Sequence, residues 1–220
     1  MPPDTEASIL SRSPQKLTFE EIEEWYDAAY NTKDDASALF WLMPRILDLL
    51  AQGREICFFG NIGTFSRLKS SMLFPDWPKP YQEIFHEFAI AYLDCVIEGK
   101  FVEDDYLYDE GQFYTVFGMF SNAGLPMKTL LDHLDALPRV KLAQGILWQF
   151  ASPYQTLPPK IESDNLWANP KDAEEVSAFL ARREFYDDFL RLGMDANGEE
   201  QTVLLKAAEL LELVISSKHP

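Results

Sequence analysis

Glu83-x-x-His86-Glu87 puts two carboxylates and an imidazole on successive turns of one helix, the spacing used in carboxylate-bridged di-iron bundles. Such a centre needs a second Glu-x-x-His and two more glutamates from other helices. The other internal histidine, His133, has Leu130 where its glutamate should stand, so the match is isolated and predicts no metal. Asp195-Ala-Asn-Gly198 resembles the opening of a calcium loop. Its twelfth position falls on Leu204 or Lys206 according to register, not on the bidentate glutamate that calcium requires, so it reads as a turn. Gly60-Asn-Ile-Gly63-Thr64 lacks the lysine of a phosphate loop, and its glycines read as a tight turn. Cys57 lies in an apolar run with no partner histidine in evidence, which describes an inert core thiol. Neither Gly-x-Ser-x-Gly nor His-Glu-x-x-His occurs. These residues predict no catalytic centre and no cofactor.

Carboxylates are the remaining chemical resource. Acids number 36 against 19 bases, a formal net charge of -17 over 220 residues. Residues 17–35 hold seven acids (Glu20, Glu21, Glu23, Glu24, Asp27, Asp34, Asp35) and one base, Lys33. Residues 94–110 hold seven more (Asp94, Glu98, Glu103, Asp104, Asp105, Asp109, Glu110) and one base, Lys100. Glu20 and Glu21 suit the N-terminal dipole of the helix they begin and need no partner. The second window continues a strip. On a helix from Tyr81 to Glu98, Glu83, Glu87, Asp94 and Glu98 fall within an arc of roughly 60° at about 100° per residue. That helix contains no Lys or Arg, and it leads into Glu103-Asp-Asp-Tyr-Leu-Tyr-Asp-Glu110, where Tyr106 and Tyr108 alternate with carboxylates. A solvated helix face followed by a polar loop is the plainer description. A basic protein partner is the sharper one, because carboxylates steer its approach and tyrosines supply contact area. General nucleic-acid binding is disfavoured, since a phosphate backbone would be repelled.

Helices must position these groups. Thr18 and Glu21 form a capping box ahead of Phe19, Ile22, Tyr26 and Tyr30. Asp34 to Gln52 is apolar nearly all round, as a central helix is, with Pro44 predicted to kink or split it. A short helix is predicted from Gly60 to Met72, a Pro-rich redirection from Phe74 to Pro80, and helices at Gln112–Asn122, Pro126–Ala136 and Arg139–Phe150. Ser152 to Pro170 carries four prolines and reads as a long loop before a hairpin of Lys171–Leu192 and Glu199–Ser216. Ile56–Phe59 is too isolated to build a sheet. The expectation is an all-α, single irregular domain of about eight or nine helices over 16–220, preceded by a flexible tail at 1–15. Two cysteines, 57 and 95, fit a reducing compartment. The N-terminus lacks a signal-peptide pattern and no apolar run reaches membrane-spanning length, so a cytoplasmic protein without a membrane partner is expected.

Phe40-Trp-Leu-Met-Pro-Arg-Ile-Leu-Asp-Leu-Leu50, followed by Phe74-Pro-Asp-Trp-Pro78 and an aromatic helix, resembles a group of uncharacterised bacterial proteins. Those carry a Phe-Leu-Pro-Arg-Ile-Leu-Glu-Leu stretch and then a Trp-Pro element; here Trp-Leu-Met stands between Phe40 and Pro44. The resemblance covers about the first half of the chain. It implies a bacterial source and a helical fold, and it lends no reaction.

The functional expectation is therefore an acidic, non-enzymatic binding module, in its most specific form an immunity protein that occludes a basic toxin or effector. Its face would be Glu83, Glu87, Asp94, Glu98, Glu103, Asp104, Asp105, Tyr106, Tyr108, Asp109 and Glu110. The rivals are an enzyme with a dispersed carboxylate and histidine site, drawing on His86 or His133, and a homodimeric structural protein using the aromatics around Trp148 and Trp167.

Overall fold

The computed structural model describes residues 3–28, 36–57, 60–66, 68, 74–100, 112–150, 167 and 169–216. Among them the regular structure is helical throughout, and the all-α expectation holds. Helix α1 (Pro3–Leu10) is followed by α2 (Phe19–Ala28), α3 (Ala36–Ala51), α4 (Lys79–Ile97) and α5 (Gln112–Asn122). Then come α6 (Met127–Ala136), α7 (Arg139–Phe150), α8 (Pro170–Leu180), α9 (Arg183–Asp195) and α10 (Gly198–Ser216). Nine of these lie within 16–220, and α1 lies in the segment read from the sequence as a loose tail. Burial explains the difference there: Ile9 and Leu17 are both in the core, and Arg12 bridges to Glu21 at 2.7 Å.

The capping box forms as the residue types dictate. The Thr18 N–H donates to Glu21 Oε2 at 3.0 Å, and the Glu21 N–H donates to Thr18 Oγ1 at 3.3 Å. Pro44 does not split α3; it stands on the exposed face, where a missing backbone hydrogen bond is tolerated. Its neighbour Arg45 ties the helix down, donating to the Leu17 carbonyl at 2.9 Å and pairing with Asp48.

Three other boundaries differ from the sequence reading. Of the predicted Gly60–Met72 helix the structure describes a buried 3-10 turn, Asn61–Gly63, while residues 67 and 69–73 lie outside the described residues. Helix α4 begins two residues earlier than predicted, at Lys79. The long Lys171–Leu192 helix is two helices, broken at Ala181-Arg182 without glycine or proline. Tertiary contacts make that corner. The Arg182 guanidinium lies 4.4 Å from the Phe179 ring centroid and reaches Asp135 at 3.2 Å, which holds its backbone extended.

One continuous apolar cluster runs from Ile9 to Leu211. Helices α9 and α10 pack on each other and lie against α7; α4 packs on α5, α6 and α7, and α8 on α5 and α6. The centre is aromatic. Phe85 sits 4.9 Å from Trp77, 5.2 Å from Phe65 and 5.6 Å from Phe120, all in edge-to-face geometry. No helix among the described residues is long and apolar enough to cross a membrane.

Candidate functional site

Helix α4 carries Glu83, Glu87 and Asp94, and Glu98 is its C-cap. Pro78 precedes it and Pro80 occupies its first turn, where a missing N–H costs nothing. Phe85, Ala89, Tyr92, Leu93, Val96 and Ile97 face the core and fix the helix rotation. The first half then presents Tyr81, Glu83, Ile84, His86 and Glu87 to solvent. Tyr81 and Ile84 are 51 % and 59 % exposed, high values for large apolar side chains. Tyr81 is nonetheless held in place: its ring centroid is 5.1 Å from that of Phe40, and Phe40 is 5.4 Å from Trp77. A half-exposed aromatic with a braced inner side suits a contact surface, since little side-chain entropy is left to lose.

The strip is not electrostatically uniform. Asp94 meets His133 of α6, with Oδ1 and Nε2 2.7 Å apart. Glu98 receives Lys100 at 2.7 Å and Lys141 of α7 at 2.9 Å. Hydrogen bonds from Lys100 and then Lys141 draw the Glu98 carboxyl down to about 2. Lys141 of α7 thus joins the local Lys100 in compensating Glu98, and His133 of α6 hydrogen-bonds Asp94; neither long-range partner is revealed by the local sequence. The earlier start of α4 also places Lys79 four residues before Glu83, although the two make no ion pair. Glu83 and Glu87 form no ion pair among the described residues. A partner engaging Asp94 or Glu98 must displace an internal base, whereas one engaging Glu83 or Glu87 displaces only water. Of the strip, Glu83 and Glu87 are therefore the two carboxylates without an ion pair among the described residues, and they stand beside exposed Tyr81 and Ile84. Glu103, Asp104, Asp105, Tyr106, Tyr108, Asp109 and Glu110 lie outside the described residues.

His86 is exposed on α4, and among the described residues no three His, Cys, Asp or Glu side chains gather as a metal would require. His133 belongs to the Asp94 pair. Cys57 is buried and Cys95 partly so, and neither is in a disulfide. Trp167 is buried, not part of an aromatic surface, and packs with Ile62 against Gly118 of α5. The Trp148 side chain lies outside what the structure describes.

Two polar constellations were not evident from the sequence. On one side, Asp135 accepts from Arg139 and Arg182, while Asp188 accepts from Arg139 at 3.0 Å and Arg191 at 3.2 Å. This chain of ion pairs joins α6, α7 and α9, and its arginines also stack on Phe179 and Phe185. Hydrogen bonds from Arg139 and then Arg191 hold the Asp188 carboxyl below its usual range. On the other side, the 60–64 turn is anchored by polar groups within the core. The Tyr26 hydroxyl donates to the Thr64 carbonyl at 2.7 Å, and Asn122 Nδ2 donates to the Ile62 carbonyl at 2.6 Å. Nearby, Ser121 Oγ lies 2.6 Å from Asp172 Oδ2. Burial pushes the Asp172 carboxyl up despite that bond and another from Asn169. The arginine spacing carried no periodic signal, and a Gly-Asn-Ile-Gly-Thr turn gives no hint that it will be buried.

Comparisons with protein-family models, curated proteins and solved structures find no match for this chain.

Proposed function

We propose that this protein is an acidic binding module for a basic protein, and that it acts as an immunity protein, occluding the active surface of a toxin or effector. The observation that carries the reading is the first half of α4, where Glu83 and Glu87, without an ion pair among the described residues, flank the half-exposed Ile84 beside a braced Tyr81. Carboxylates accelerate and orient the encounter, and the apolar and aromatic side chains give the contact that persists. The net charge of -17 extends the attraction beyond the contact itself. Glu103, Asp104, Asp105 and Asp109 add four carboxylates within one short stretch of chain.

The test is co-expression with the products of adjacent genes and purification on tagged wild-type, Glu83→Lys/Glu87→Lys and Glu103→Lys/Asp104→Lys/Asp105→Lys/Asp109→Lys forms. Wild-type protein should retain a basic product and protect cells that express it, and the reversed forms should lose both properties. Retention and protection that survive both sets of reversals would refute the proposal. So would the absence of any basic partner.

A further inference from the structure

The exposed edge of α4 has an order that its carboxylates alone do not describe. Tyr81, Ile84, Phe88, Ala91 and Cys95 follow one another at alternating spacings of three and four residues. At about 100° per residue they fall within an arc of roughly 60°, alongside the carboxylates. This is the a/d pattern of a helix that pairs with another helix. The fold leaves the seam open: Tyr81, Ile84 and Ala91 are exposed, and Phe88 and Cys95 are partly so. Its two aromatic members are braced from within. Tyr81 leans on Phe40, and Phe88 stacks on Tyr92 with ring centroids 5.7 Å apart. The next position in the series is Glu98, which holds Lys100 and Lys141 and closes the seam. From Tyr81 to Cys95 the seam is about 21 Å long at 1.5 Å per residue, which matches a partner helix of about four turns.

The two flanks differ. One runs into the core through Phe85 and Tyr92. The other carries Glu87 and Asp94 at the g positions, with Glu83 beside them. Asp94 is engaged by His133, so the open charge lies over the first half, at Glu83 and Glu87. Apart from Lys79 at its first residue, α4 holds no base to offset them. A second copy of this chain is a poor occupant. A two-fold pair sets the same surface against itself, so carboxylate flank would meet carboxylate flank on two chains of net charge -17 each. A helix that is apolar on one face and basic along its flank matches both the seam and the charge.

We propose that the partner engages α4 through an amphipathic basic helix, laid along Tyr81, Ile84, Phe88, Ala91 and Cys95 with its Lys or Arg residues over Glu83 and Glu87. This mode of contact rests on the reading of α4 as the face for a basic protein, and it adds the form of the recognising element. The experiment uses the whole chain and three synthetic peptides of about three heptads. One has Leu at a and d and Lys at e and g, one has the same residues in scrambled order, and one has Glu in place of Lys. Fluorescence anisotropy should show the ordered basic peptide binding about tenfold or more tightly than either of the others. Its binding should slow alkylation of Cys95 by iodoacetamide, read by mass spectrometry. Ile84→Gln/Ala91→Gln keeps helix-forming side chains and every charge, and it should weaken the ordered peptide by about tenfold or more. Equal affinity of the ordered and scrambled basic peptides, unaltered affinity of the Gln variant, or unaltered alkylation of Cys95 in the complex overturns the helix and leaves a basic partner standing. No preference for the basic peptides over the acidic one overturns the reading of α4 and the helix together.

Discussion

Gly118→Ala sets two effects of opposite sign against each other, and the structure decides between them. Alanine in the middle of α5 gains about 1 kcal/mol of helix propensity over glycine. Its Cβ, however, would sit 2.6 Å from Ile62 Cδ1, 2.7 Å from Ile62 Cγ1 and 3.2 Å from Trp167 Cε2. Carbon atoms prefer about 3.5–4.0 Å, so two of these contacts are short by almost an ångström. Neither neighbour yields easily. Ile62 is fully buried, its own carbonyl is held by Asn122, and Trp167 is only 4 % exposed. Overpacking of this kind costs about 1–3 kcal/mol, and the inner position of Cγ1 argues for the upper part of that range. The net loss is then about 1–2 kcal/mol, a Tm lowered by roughly 2–8 °C in a chain of this size. Thermal and urea unfolding followed by circular dichroism measure it. Ile62→Val removes one of the crowded atoms, so the double variant should recover at least about 0.5 kcal/mol relative to additivity. Stability of Gly118→Ala at or above wild type, or strict additivity with Ile62→Val, would refute the packing argument for this turn.

Two carboxyls make opposite pH predictions. Asp172 is raised by burial in the folded state, so its stabilising contribution is complete below its ordinary value of 3.8 and is lost as pH rises through the higher folded value. Asp172→Asn keeps a side-chain acceptor for Asn169, and its Tm relative to wild type should therefore increase from pH 3 to pH 7; a constant difference would contradict burial as the cause. Glu98 is lowered to about 2 by its two lysines, so its contribution is present above 4.5 and is lost as pH falls through about 2. Glu98→Gln should have a Tm slightly below wild type at neutral pH, with the gap closing on acidification and in 1 M salt, as an exposed pair requires. A gap that persisted in acid would assign the effect to something other than the ion pairs.

Helix content followed from features that act locally. The Thr18–Glu21 box, the apolar periodicity of Phe85 to Ile97 and the punctuation around α5, α6 and α7 placed elements within two residues of where they lie. Decisions made by tertiary contact were not legible. The Ala181-Arg182 corner depends on Phe179 and Asp135, which no local propensity reports. The carboxylates read as one strip lie on α4 and its C-cap, but the groups that pair with two of them come from outside the helix. Lys141 and His133 lie more than thirty residues away in sequence, and they engage Glu98 and Asp94 from other helices. Tyr81 and Ile84 were hidden by their type, since apolar side chains in a helix are read as core until burial shows otherwise. Burial of the polar 60–64 turn inverted the usual expectation, because Gly, Asn and Thr together suggest a surface turn.

Association kinetics with the basic partner across ionic strength test the central claim most directly. The wild-type association rate should fall by about tenfold or more as salt screens the encounter, while the dissociation rate changes little. Glu83→Lys/Glu87→Lys should begin at the slow, high-salt rate and show a flattened salt dependence, with Tm unchanged because both side chains are exposed. Equal rates and equal salt slopes for the two proteins would show that the exposed half of α4 is not the recognition surface.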